Sequence, residues 1–142
     1  PHETLRVLDR LANRAGHMAT VAVVVLDPAT GALRHASAGH LPPAVVAAGG
    51  EVRFLTEGAS TPLLAYDAEA GSGTDILAPG ERLILYTDGL VERRREPIDA
   101  SLRRLADAAA RTADLTDLLA ALRPPEDGLR DDIAILSVQR AA

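Results

Sequence analysis

The chain has 142 residues, 20 acidic against 15 cationic, for a formal net charge of −5, and it contains no cysteine. That length suits one domain with a sizeable core, and the missing cysteine excludes disulfides and thiolate metal sites and fits a reducing, cytoplasmic setting. The cations are all arginine without a basic stripe, and Phe54, Tyr66 and Tyr86 are the aromatic residues, which argues against a nucleic-acid surface.

No internal repeat or low-complexity tract is present. No apolar run approaches the roughly 20 residues of a membrane span. Pro1-His2-Glu3-Thr4 offers neither the basic region nor the apolar core of a signal peptide.

Leu5, Leu8, Leu11, Ala12 and Ala15 recur at helical spacing and predict a helix over Thr4 to Ala15, with Gly16 as its C-cap. The period then changes. Thr20 to Leu26 is β-branched and apolar on both faces, the pattern of a central strand. A turn over Asp27 to Gly31 leads to a second strand, Ala32 to Ser37, giving a hairpin. Ala38-Gly39-His40-Leu41-Pro42-Pro43 interrupts the pattern. Gly49-Gly50 then joins Ala44–Ala48 to Glu51–Leu55 as a second hairpin.

Thr56 to Gly73 reads as loop and Thr74 to Leu77 as a short strand. After the Pro79-Gly80 turn, Arg82-Leu83-Ile84-Leu85-Tyr86 reads as a buried strand ending in Thr87-Asp88-Gly89. The short turns make this part mostly antiparallel. Arg93 to Pro97 reads as solvated, with Glu92 helping to anchor it. Leu102, Leu105 and Ala109 mark a helix over Ser101 to Ala110. Asp114 caps another that carries Leu115, Leu118, Leu119 and Leu122. Pro124-Pro125 stops that helix, Glu126 to Arg130 is a loop, and Asp131-Asp132 opens a final strand to Val138. The class is α+β, with helices covering a strand-rich middle.

Chemistry concentrates at strand ends. Asp88 would end one apolar strand and Asp131-Asp132 begin another. If those strands are antiparallel neighbours, their carboxylates converge on one rim, and strand alternation lets only one of Asp131 and Asp132 share the face of Asp88. An all-oxygen site suits Mg²⁺ or Mn²⁺. The competing reading makes Asp88 a turn residue and Asp131-Asp132 a solvated strand start beside Arg130. His40 is either an acid, ligand or phosphate donor, or a histidine that hydrogen-bonds a neighbouring loop.

Taken in order, several runs resemble one family: Thr20-Val21 with Leu26-Asp27-Pro28 and Gly31, Ala38 to Pro43, Leu77 to Leu83, Tyr86 to Glu92, and Asp131-Asp132-Ile133-Ala134. They are similar, over nearly the whole chain, to the SpoIIE-like branch of the bacterial PPM-type (type 2C) metal-dependent serine/threonine protein phosphatases. The resemblance implies an αββα sandwich of antiparallel sheets flanked by helices, spanning residues 1–142 as a single domain. It also implies a two-metal Mn²⁺ or Mg²⁺ site between strand ends. Asp88 and Asp131 would be the metal-ligating catalytic residues, with Thr87, Gly89 and Asp132 in support and His40 near the mouth.

The implied reaction is hydrolysis of phosphoserine or phosphothreonine by metal-bound water. The implied substrate is a phosphorylated anti-anti-sigma-type protein of a sigma-factor regulatory pathway, and sensor domains can precede the domain in the parent chain.

The sequence departs from that family in two places. Its upstream Gly-Asp and Asp-x-x-Gly-His-Gly segments do not occur before Thr20. The chain therefore reads as the C-terminal two-thirds of the domain, or as a degenerate form, inactive alone and prone to self-association through an uncovered face. Pro62-Leu63-Leu64 stands where the family often has Pro-Leu-Gly. Two rivals remain: a non-catalytic phosphatase-fold module that binds a phosphoprotein or regulator, and a plain structural α+β domain indifferent to Asp88→Asn.

Overall fold

The N-terminal apolar spacing forms a helix, α1 (His2–Ala15), closed by Gly16 with φ 67°. In the computed structural model, which describes residues 1–67, 70–93, 95–123 and 132–141, α1 packs onto the sheet made by β1 (Val21–Leu26) and β2 (Ala32–Ala38). Leu5, Ala36, Ala38 and Leu63 form the buried cluster, joined by Leu8, Ala12, Val21, Val23 and Tyr66. Each fully buried leucine contributes about 1.5–3 kcal/mol.

The chain divides into two compact units, Pro1–Pro43 with Phe54–Pro79 and Ala44–Arg53 with Gly80–Ala142. In the first, β1 and β2 pair antiparallel from Val21↔Ala38 to Leu26↔Leu33. The other edge of β2 takes β6 (Gly73–Ile76) antiparallel and β5 (Ala59–Ser60) parallel. Two expectations are corrected here. Among the described residues β1 lies at the sheet edge and β2 is the central strand, although β1 is the more apolar. None of the residues of β1 is fully buried, and Val25 is 52% exposed; an apolar run does not report which strand acquires two neighbours. The stretch expected to be loop contains β5, whose Ala-Ser has no strand pattern of its own and is held by its pairing with β2.

Pro62 to Ala65 is a turn closed by Ala65 N–H donating to Pro62 O at 3.1 Å. Leu64, at its third position, has φ 89°, a conformation such turns reserve for glycine. The departure from Pro-Leu-Gly thus keeps the glycine backbone shape with a leucine in it, steadied by Leu64 N–H donating to Asp9 Oδ1 at 2.8 Å. The left-handed conformation costs an L-residue about 1–2 kcal/mol, and a glycine gives back about 0.5–1 kcal/mol in chain entropy. Leu64→Gly is therefore expected to raise the urea midpoint by up to about 1 kcal/mol in stability; a lowered midpoint contradicts the strain.

His35 on β2 is 4% exposed, with its ring so close to Gly73 that a Cβ there would lie 2.3 Å from Cε1. Burial lowers its pKa below the ordinary 6.5, opposed by Asp75 and Glu57. A group with a depressed folded pKa binds its proton more readily in the unfolded chain, so its contribution is complete above pH 6.5 and lost as the pH falls below that value. The melting temperature is expected to drop more steeply from neutral pH towards pH ~5 in the wild type than in His35→Gln; parallel profiles contradict this.

The second unit holds a sheet of order β4-β3-β7-β8, built from β3 (Ala44–Val46), β4 (Val52–Phe54, its last residue in the first unit), β7 (Arg82–Tyr86) and β8 (Ile135–Gln139). β7 is interior, antiparallel to β3 and to β8, from Arg82↔Gln139 to Tyr86↔Ile135. Val45 and Ile84 are fully buried. Arg53 bridges bidentately to Glu81 at 2.7 and 2.9 Å. Three helices follow: α2 (Asp88–Val91), α3 (Ile98–Arg111) and α4 (Leu115–Leu122). Asp114 caps α4 as expected, its Oδ1 accepting from Thr116 N–H at 2.6 Å.

Arg82 has a role the apolar reading of its strand concealed. It is 7% exposed, and its guanidinium donates to the carbonyls of Ala109, Thr112 and Ala113 at 3.0, 2.6 and 2.6 Å. These carbonyls lie in the last turn of α3 and just beyond it, where none has a partner within the helix, and the positive charge complements the helix dipole.

Two further expectations change. The last strand begins at Ile135 rather than at the aspartate pair, because Asp132 to Ala134 bond to Thr87 in an irregular approach. The 93–97 stretch is not uniformly solvated, since Arg93 and Glu96 are half-buried. Glu92 is exposed, and Arg104 is the anchor there, donating to Glu96 at 2.5 Å and to Val91 O at 2.6 Å. Pro124 to Asp131, with their expected helix stop, loop and first strand-end aspartate, lie outside the described residues. Among the described residues no helix is long and apolar enough to cross a membrane.

Candidate metal centre

The antiparallel pairing of β7 with β8 puts the end of one beside the approach to the other, as the rim argument required. Thr87, the first residue beyond β7, continues the ladder. Its N–H donates to Ala134 O at 3.0 Å, and its Oγ1 accepts from Ala134 N–H and donates to Asp132 O, each at 2.9 Å. A β-branched hydroxyl residue suits this position, because it extends the strand while its oxygen latches the neighbouring segment.

Asp88 follows as the first residue of α2. The turn is closed by Leu90 N–H donating to Thr87 O at 3.1 Å and Glu92 N–H donating to Asp88 O at 2.7 Å. Buried Leu90 and Val91 hold it from below. The Asp88 side chain is exposed, and its Oδ1 accepts from Gly89 N–H at 2.8 Å. Asp132 is exposed as well. Thr87, Asp88, Gly89 and Asp132 are therefore brought to one end of the β7–β8 pair, while Asp131 lies outside the described residues.

The oxygens at this rim fit Mg²⁺ or Mn²⁺ in kind, since both ions take hard oxygen ligands and retain several waters. They are fewer than a complete site needs. Among the described residues no group of three or more His, Asp or Glu side chains could hold a metal. The nearby hollow of about 240 Å³ belongs to the other end of β7, around Arg82, Gly50 and Ala110. No carboxylate lines it.

His40 belongs to the first unit. Its Nδ1 lies 3.2 Å from Thr20 Oγ1, and its carbonyl accepts from Ser37 Oγ at 2.8 Å. Gly39 before it has φ 65° and donates its N–H to Ser60 O at 2.7 Å. The Ala-Gly-His run is thus a rigid strand exit, which fixes the backbone from which the imidazole projects.

The fold is that of the PPM-type phosphatase domains. The family model of Stage II sporulation protein E (SpoIIE) matches residues 1–141, and the chain belongs to that family. It is similar to the RsbU and RsbW domains of Rv1364c from Mycobacterium tuberculosis, with 32% identity and a TM-score of 0.79 over 99% of this chain and 42% of that one. The phosphatase domain of the cell fate determinant SpoIIE from Bacillus subtilis is 15% identical, with a TM-score of 0.70 over 97% of this chain and 65% of that one. RsbX in complex with magnesium is 16% identical, with a TM-score of 0.66 over 93% of this chain and 62% of that one. The chain therefore spans from under half to just under two-thirds of the solved chains it resembles.

Proposed function

We propose that residues 1–142 are part of a single phosphatase domain of a longer protein. In that protein the domain hydrolyses a phosphoserine or phosphothreonine on a regulatory protein. The observation that carries this reading is Asp88, presented without burial at the end of β7 on a turn latched by Thr87 to the segment of Asp132. Membership of the family supports it, and so does the magnesium in the similar RsbX structure.

In this reading Asp88 and Asp131 hold the divalent cations, Mn²⁺ or Mg²⁺. Asp132, Thr87 and Gly89 fix the rim, and the family resemblance gives His40 a supporting role. When bound, such a cation pair lowers the pKa of a water and neutralises charge on the phosphoryl oxygens. The protein's contribution is placement: a carboxylate on a short turn between a buried strand and buried Leu90 and Val91 has little freedom to relax away from a ligand. The RsbU and RsbW domains found together in the similar mycobacterial protein favour a substrate of the anti-anti-sigma type. A cytoplasmic location and sensor domains in the same parent chain complete the proposal.

The test is phosphate release from a phosphoserine protein by the parent protein, with Mn²⁺ and after chelation. Release that needs the metal is expected. A folded parent protein that binds the phosphoprotein and releases nothing at any Mn²⁺ concentration would make this a non-catalytic binding module instead.

A further inference from the structure

Arg93 lies just past the turn that carries Asp88. α2 spans one helical turn and Glu92 leaves it extended, so the Arg93 backbone is within about 10 Å of the Asp88 backbone. The segment is pinned on both sides of Arg93. Arg104 on α3 donates to Val91 O before it and to the Glu96 carboxylate after it. Ser101 Oγ, fully buried, also donates to Glu96, at 3.1 Å, and Glu96 N–H donates to Arg93 O at 3.0 Å.

The head of Arg93, by contrast, is only partly satisfied, its charge acting on Glu96. Its Nε–H is buried without an acceptor, as is that of Arg104. Glu96, the carboxylate whose pKa is held down first by Arg104 and Ser101 and also by the charge of Arg93, receives the hydrogen bonds of those first two residues on Oε2. A half-buried guanidinium on a fixed backbone, whose Nε–H has no acceptor among the described residues, is costly unless something completes it. Arginine is also the side chain best shaped to grip an oxyanion.

We propose that Arg93 is a substrate-binding residue that takes an oxyanion of the phosphoprotein beside the Asp88 rim. This rests on the phosphatase reading above. The oxyanion is either a phosphoryl oxygen or a carboxylate flanking the phosphorylated residue, and the two sources can be told apart.

The parent protein in Mn²⁺ is titrated calorimetrically with inorganic phosphate and, separately, with an unphosphorylated Asp/Glu-rich peptide, for the wild type and for Arg93→Gln. A loss of affinity of about tenfold for phosphate assigns Arg93 to the phosphoryl group; the same loss for the peptide alone assigns it to the flanking carboxylate. Equal affinities in the two proteins, or no binding of either probe by the wild type, overturns the proposal. Arg93→Gln should keep the wild-type melting temperature, whereas Arg104→Met, which removes the pins, should lower it; this separates a binding role from a structural one. Hydrolysis that survives Arg93→Gln with unchanged affinity for both probes sinks only this inference. Phosphate binding through Arg93 in a protein that hydrolyses nothing sinks only the phosphatase reading.

Discussion

Asp88→Asn in the parent protein is expected to lower metal-dependent hydrolysis by at least about 100-fold, since even residues that merely orient a metal ligand are worth 10–100-fold. It should do so with little change in stability. Asp88 is exposed, and its hydrogen bond in the structure is accepted by Oδ1 from Gly89 N–H. Asparagine retains that oxygen, so the turn keeps its internal bond and loses only the negative charge. A plain structural role for Asp88 makes the opposite forecast, with unchanged turnover. Phosphate release at saturating Mn²⁺ and a thermal melt on the same samples separate them; a variant that melts early as well as failing to turn over would show that the turn itself had been damaged.

Gly39→Ala is expected to be the most destabilising single methyl group that can be added to the strand exit before His40. A Cβ at Gly39 would lie 2.4 Å from Pro62 Cγ, 2.8 Å from Cδ and 2.9 Å from Cα. The first two contacts could be eased by ring pucker. The last is main chain, in a segment tied down by Leu63 N–H donating to Ala19 O at 2.9 Å. The φ of 65° adds the cost of a left-handed L-residue. Together these come to about 2–4 kcal/mol, or about 6–12 °C in melting temperature for a chain of this size. A shift below about 2 °C would mean that the Pro62 loop yields freely and that the Ala-Gly-His geometry is soft.

What the sequence made legible was local. The spacing of Leu5, Leu8 and Ala12 specified α1 and the face it buries. Asp114 specified the start of α4, and the apolar run from Leu83 to Tyr86 specified a buried strand with Asp88 at its end. What stayed hidden depended on partners distant in the chain. Val21 to Leu26 reads as the centre of a sheet, yet β2, with an arginine and a histidine in it, has neighbours on both edges. Ala59-Ser60 is a strand only because β2 offers it an open edge.

Arg82 looks like the polar start of an apolar strand, and only the fold brings the end of α3 to it. The run of arginines at 93–95 reads as solvated, and nothing in its spacing shows that Arg104 would fix the backbone on both sides of Arg93. The candidate site was legible as a pair of strand-end carboxylate positions because Thr-Asp-Gly and Asp-Asp are local motifs. Their approach to one another was conditional on β7 and β8 being antiparallel neighbours, which the register from Arg82↔Gln139 to Tyr86↔Ile135 supplies.

The central claim is that the Asp88 rim holds a divalent cation for phosphoester hydrolysis. Its most direct test is Mn²⁺ binding by the parent protein and by its Asp88→Asn variant, followed by calorimetry. The account predicts saturable binding in the wild type and, in the variant, loss of a site or a drop in affinity of at least about tenfold. The same stoichiometry and the same affinity in both proteins would contradict it.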